Sequence, residues 1–531
     1  MIRKLFIIFL LPVLSFAQEQ TNTSQSIELP EFVITGVERV SLPAAVKPKA
    51  ELIPVLSEDF FKPSFSPEQL HLAEISNPVK KGIDLFTKAP DYNGRIKAGV
   101  GTVSLPTGLL SYGTSYNNGT FFAKVFGLNE REYEENAGIN NSGIELNNSL
   151  FIKTTSPFLP GSEFNLGGSY YRESYRFYGS VTPALKRDLH FGEIHLNTSY
   201  LLKENFKFAV NLSDKPLYIK DLDLTENSFE ADMSAEGGVR NFQLVGKLKY
   251  IGQSTDEAYG KKTGYNFISP GAYIRLKDTD NYKLEFGFNF TSFNSKNIFQ
   301  PHAFAGLRLS KRFSIFGEYK PQAQLLTTYD LLHQNRFFKA GSTDNFLIDE
   351  KSAFKIALRY EYETFFEVDG GFRYSDFNSF PYFEDSLSNR GKFDLKSTEA
   401  RRFTGFVNLL FHLGPFGVFY GDAMLEQVKN DSKLYVPYQP SLKTNLSYGY
   451  NLPFGLKTGA RLTYASSSYA DSLNTFEIPG ILDLSLHFSF EIVKNFDLFS
   501  DINNLFNRNN YYWRGYREKP ADFIVGIDYR W

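Results

Sequence analysis

The chain has 531 residues, no cysteine, 16% aromatic residues and a formal net charge of −2. The lack of cysteine excludes disulfides, thiolate metal sites, a cysteine nucleophile and a lipoprotein anchor, and the balanced charge gives nucleic acid no footprint. Phe 53 and Tyr 32 against Trp 2, with a mean hydropathy of −0.29, favour strands over membrane-spanning helices.

In chain order, Arg3 and Lys4 form a short basic region, Leu5 to Leu14 an apolar run, and Ser15-Phe16-Ala17 a small-residue cleavage site before Gln18. The run is too short to span a bilayer, so residues 1–17 read as a secretory signal peptide. Residues 18–93 are rich in Pro and charge and alternate little; they are expected to form an irregular periplasmic segment. Within it, Phe32-Val33-Ile34-Thr35 is β-prone, and Ser66-Pro67-Glu68 could cap a short helix over Gln69 to Ile75.

From Gly94 onward, segments of about ten residues alternate with turns, as transmembrane strands do. Phe206, Phe208, Val210 and Leu212 interleave with Lys207, Ala209 and Asn211; Leu284, Phe286, Phe288 and Phe290 with Lys283, Glu285, Gly287 and Asn289. Ile356, Leu358, Tyr360 and Tyr362 interleave with Arg359, Glu361 and Glu363, and Leu482 to Phe490 behaves in the same way. A period of two puts the apolar residues on one face. The other face is polar, small or charged, which suits a wet lumen, so the apolar face is expected to meet lipid. Tyr200, Tyr250, Tyr448 and Tyr450 at segment ends suit the membrane–water interface.

The connections alternate as well. Asn117-Asn118-Gly119, Glu204-Asn205, Ser310-Lys311-Arg312, Gly414-Pro415 and Pro453-Phe454-Gly455 are tight, whereas 129–143, 253–265, 320–351, 377–399, 466–480 and 505–521 are long and polar. The final segment alternates Phe523, Val525, Ile527, Tyr529 and Trp531 with Ile524, Gly526, Asp528 and Arg530, and a terminal amphipathic strand of this kind is what bacterial barrel-assembly machinery reads. The predicted fold is all-β: residues 94–531 form an antiparallel transmembrane barrel of about 22 strands, within a range of roughly 18 to 22. The expected location is the bacterial outer membrane, with its lipids as partners.

The stretch from Asp497 to Trp531 resembles the end of the TonB-dependent receptor family, where a penultimate strand runs into Asn-Leu-Phe-Asn, here Asn504-Leu505-Phe506-Asn507, before a loop and a last aromatic-ended strand. Lys519-Pro520-Ala521 departs from the family's usual Pro-Gly-Arg. Phe32, Val33, Ile34, Thr35 and Gly36 are similar to the stretch that opens the family's plug, and would offer a strand to TonB or another periplasmic partner. The 18–93 segment is too short for a complete plug, so the resemblance implies a receptor barrel whose plug is missing or reduced to a stub.

No HExxH, EF-hand or P-loop pattern is present, and neither catalytic residues, a metal site nor a cofactor is expected. His190 and His195 fall on opposite faces of one strand. Two aromatic clusters are candidate ligand contacts: Tyr511, Tyr512, Trp513 and Tyr516 beside Arg514, and Phe377, Phe380, Tyr382 and Phe383 beside Glu384 and Asp385. Interfacial girdle or loop packing is the plainer reading of both. The expected function is passage of a solute across the outer membrane, with a non-transporting docking barrel as the alternative. The lumen filling is left open between residues 18–93, inward-folding loops and a separate partner.

Overall fold

The computed structural model describes residues 93–531 apart from 203–205, 258–261, 277–280, 342–345, 363–364 and 387–388. The signal peptide expected over residues 1–17, Phe32–Gly36, the helix expected over Gln69 to Ile75, the turn Glu204-Asn205 and Glu363 lie outside the described residues. Among those described, one antiparallel sheet contains 23 strands. Phe313–Tyr319 and Ala323–Leu326 lie end to end along Phe346–Tyr362, so the sheet closes as 22 staves. Closure is made by the first strand, Gly94–Gly101, pairing with the last, Asp522–Arg530, from Arg95↔Arg530 to Gly101↔Ile524. A closed sheet leaves no unpaired edge, so every strand can satisfy its backbone groups without water.

Gly94 and Trp531 hydrogen-bond to each other at one end. The tight connections 117–118, 240–241, 311–312, 413–417, 452–455 and 494–495 lie at that end, with 152–162 the longer exception. The long loops lie at the other. Short turns face the periplasm in such barrels, so the terminal end is periplasmic and the loop end extracellular.

Alternation sorts the wall as expected. Phe286 is 54% exposed on the outside, while Lys283, three residues earlier, is 7% exposed on the inside. Along the last strand Phe523, Val525, Ile527 and Tyr529 face outward, and Asp528 and Arg530 inward. Tyr448 donates to the Phe416 carbonyl at 2.6 Å, tying a belt tyrosine to a periplasmic turn.

Two expectations need correction. The strands are longer than about ten residues at the extracellular side: Phe366–Asp385 and Phe393–His412 each have 20 residues, about 65 Å of chain at about 3.3 Å per residue. That is far more than an apolar band about 25 Å tall requires, so these strands project beyond the membrane. The supposed loop 377–399 is therefore mostly strand, and 253–265 shrinks because Phe242–Asp256 and Lys262–Leu276 run into it. Polar composition was misleading there, because above the membrane the outward face meets water and the apolar-out rule lapses.

Candidate functional site

The largest apolar cluster among the described residues lies at the extracellular mouth. The segment 327–341 dips inward and carries a short helix, Thr328–Gln334. Thr327 caps it: its hydroxyl accepts from Asp330 N, and the Asp330 carboxylate accepts from Thr327 N, both at 3.2 Å. The helix buries Tyr329, Leu331 and Leu332. Glu226, 2% exposed on the barrel wall, meets the helix N-terminus, accepting from Thr328 N at 3.3 Å and Tyr329 N at 3.1 Å. Gln253 donates to the same carboxylate at 2.6 Å. Those N–H groups have no partner within the helix, and the helix dipole favours a negative charge there.

The rest of the loop is stitched to the wall in the same manner. Arg187, 2% exposed, donates to the Phe338 carbonyl at 2.8 Å and pairs with Asp221 at 3.1 Å. Arg336 pairs with Glu173 at 2.9 Å, and Tyr175 donates to the Arg336 carbonyl. The Tyr171 hydroxyl meets His333. Arg187 and Arg336 thus face carboxylates and Glu226 faces N–H donors, as burial demands.

The first aromatic cluster belongs to this cap. Tyr516 is fully buried and stacks on Phe337 with ring centroids 3.4 Å apart; its hydroxyl donates to the Gly391 carbonyl. Trp513 packs against Phe383, Phe393 and Tyr438, at 5.4, 5.1 and 4.7 Å. Tyr511 is partly buried, and Tyr512 stays 51% exposed. The second cluster sits on a strand: Phe377 and Phe380 pack on Ala400, Val428 and Val436, separated by a bulge, while Phe383 joins the cap. Burial pushes the Tyr133 hydroxyl, in the neighbouring loop, up to about 12, and raises Tyr178 and Tyr516 further.

Three loops meet through glycine. A Cβ on Gly515, at φ +84°, would stand 2.7 Å from the Gly179 carbonyl oxygen, and one on Gly391, at φ +85°, 2.3 Å from the Ser180 Cα. Only glycine combines that conformation with that approach.

Below the cap the lumen wall is lined by paired charges. Arg95 meets Asp528 at 2.7 Å, Arg530 meets Asp497, Arg275 meets Glu285 at 2.8 Å, and His302 meets the same Glu285 at 3.0 Å. Arg359 lies 3.6 Å from Glu361, and Lys249 lies 3.0 Å from Glu230. Of the lumen cations in the sequence, Lys249, Arg359 and Arg530 thus face carboxylates, and Lys247 lies over the Tyr273 ring, 4.8 Å from its centroid. Among the described residues, no three His, Asp or Glu side chains gather as a metal site.

Sequence reasoning treated 320–351 as a plain polar loop. The Thr-x-x-Asp capping pattern at Thr327 was the available signal for its helix; Glu226 and Arg187 carried none, being ordinary polar residues on strands until the loop meets them.

No family model and no curated protein match the chain. Solved structures do. The FrpB iron transporter from Neisseria meningitidis superposes with a TM-score of 0.64 at 10% identity, over 86% of this chain and 86% of that one. The two chains share one barrel fold. The ferric-catecholate import receptor Fiu from E. coli K12 gives 0.62 at 10% identity, over 84% of this chain and 83% of that one. The copper transporter OprC gives 0.62 at 10%, over 84% and 82%. The likeness to TonB-dependent receptor barrels drawn from Asn504–Asn507 therefore extends to the whole described barrel. An outside this apolar is stable only against lipid, and a closed 22-stave sheet places the chain in a bacterial outer membrane. The similar structures are receptors and transporters, not enzymes.

Proposed function

We propose that this barrel mediates passage of a solute across the outer membrane, and that its extracellular mouth is closed at rest by its own loop cap. The inward-folded segment 327–341, clamped by Glu226 and Arg187 over a charge-lined lumen, carries this reading. Transport by the similar barrels supports it: one is a ferric-catecholate import receptor, another a copper transporter. In this reading Tyr512, the exposed ring of its cluster, is the one placed to touch arriving solute, with Trp513 and Tyr516 holding the cap. Residues 18–93 act on the periplasmic side, with Phe32–Gly36 offered to TonB or another partner as an added strand. The outward row of Phe523, Val525, Ile527, Tyr529 and Trp531 serves as the assembly signal.

The test is conductance of the full chain in a planar bilayer. Wild type is expected to stay closed, and removal of residues 329–341 to produce large steady openings. If that deletion stays silent, residues 18–93 are deleted as well. Continued silence of the doubly deleted, folded barrel would overturn the passage reading and leave a docking barrel in its place.

A further inference from the structure

One stretch of the outer wall departs from the belt. On neighbouring strands the exposed apolar residues Leu166, Ile194, Phe208 and Phe229 end beneath a hollow of about 510 Å³. Its floor is Gly192 and Pro216, which leave the outward face nearly bare; a Cβ at Gly192 would stand 2.8 Å from the Pro216 ring. Tyr170, His190 and Tyr218, on three adjacent strands, tile one side. The Tyr170 hydroxyl lies 2.7 Å from His190 Nδ1, and the ring centroids are 6.1 and 5.8 Å apart in sequence. Thr225, Asn227 and Ser254 supply hydroxyl and amide groups opposite, with Asp256 at the rim.

Position and chemistry narrow the occupant. The hollow begins where the apolar belt stops, so it lies at the level of lipid headgroups and continues directly into the surface that carries acyl chains. A phosphate is poorly matched, because the nearby cations are already matched by carboxylates: Arg172 and Lys186 are held by Asp188, at 2.9 and 3.4 Å, and Lys262 by Asp256 at 2.9 Å, while Asp223 beside Tyr218 offsets Lys220 beside His190. Ring faces beside amide and hydroxyl groups instead suit a pyranose, whose C–H face lies on aromatics while its hydroxyls hydrogen-bond. We propose that this hollow holds the sugar headgroup of an outer-leaflet glycolipid, whose chains lie down the belt below. The inference is independent of the transport reading.

The full chain, folded in detergent, is offered monoglucosyl diacylglycerol and phosphatidylethanolamine in equal amounts, and retained lipid is counted by native mass spectrometry. Preferential retention of one glycolipid is expected, falling about tenfold or more in Tyr170→Ala/Tyr218→Ala, the loss of about 1.4 kcal/mol. Phe299→Ala, on another part of the belt, should change nothing. If the double variant fails the heat-modifiability test for folding, Asn227→Phe, which fills the hollow from an exposed position, carries the same expectation. Equal retention of the two lipids, or unchanged preference in the folded variants, would mean the tyrosines are only an interfacial girdle and would overturn the proposal. Methyl glucoside competing as well as the glycolipid would overturn it too, by pointing to a soluble sugar.

Discussion

Phe286 and Tyr516 are both large aromatic residues in one sheet-built molecule, yet the first faces lipid on the outer wall and the second is sealed inside the mouth. In the membrane band the apolar residues point out and the charged ones point in, since lipid is outside and water inside. At the extracellular mouth the order reverses, because water now surrounds the projecting strands and only the interior can shelter apolar surface. The wall is thus an inverted soluble sheet, and the cap an ordinary soluble core placed on top of it. Charges sit inside both regions, and both pair them: the wall sets Asp497 against Arg530 and Asp528 against Arg95, and the cap sets Arg187 against Asp221 and Arg336 against Glu173.

The sharpest way to break this contrast is within one strand. Val210→Lys, on the lipid face, should cost about 2–4 kcal/mol, while Asn211→Lys, its lumen-facing neighbour, should lie within about 0.5 kcal/mol of wild type. Urea unfolding from liposomes measures both, and similar losses for the two would refute the assigned faces. Next in size, Glu226→Ala should leave two buried helix N–H groups without partners, at about 1–3 kcal/mol. Hydrogen exchange at 328–334 would quicken and channel openings would appear, with the wall unaffected; protected amides there would separate the helix from its supposed clamp.

Gly515→Ala introduces a Cβ against Gly179 at positive φ, a strain of about 1–3 kcal/mol. Faster proteolysis of loop 504–521 is expected, without change in barrel folding on gels; unchanged proteolysis would show that the three-loop contact tolerates a methyl group. The smallest effect concerns Asp471, whose carboxylate accepts from Thr475 N, Thr475 Oγ1 and Phe476 N. Burial opposes its charge, but these bonds outweigh it and hold the carboxyl below its usual range. A depressed folded pKa stabilises the turn above the unfolded value of about 3.9, and that contribution is lost as pH falls through the lower folded value. Pepsin should therefore nick 466–480 faster as pH drops below about 4, a dependence that Asp471→Asn should flatten.

How much of this was legible beforehand differs between the two regions for the same reason. Phe206 to Leu212, Leu284 to Phe290 and Phe523 to Trp531 each announce their faces locally, because a strand repeats every two residues and the surrounding lipid and water impose that period on each stave separately. The side with tight turns and the amphipathic last strand follow from that repetition, and the sequence by itself determined them; it bounded the stave number, and the structure fixed it at 22 and closed the last strand on the first. The cap has no such repeat. Glu226 meets Thr328 and Tyr329 across about a hundred residues of chain, Tyr516 finds Phe337, and Gly179, Gly391 and Gly515 come together from three separate loops. Only the closed barrel, by bringing distant strand tips around one mouth, decided which loops fold inward and which polar residues are buried there, since those contacts depend on the positions of all the staves at once.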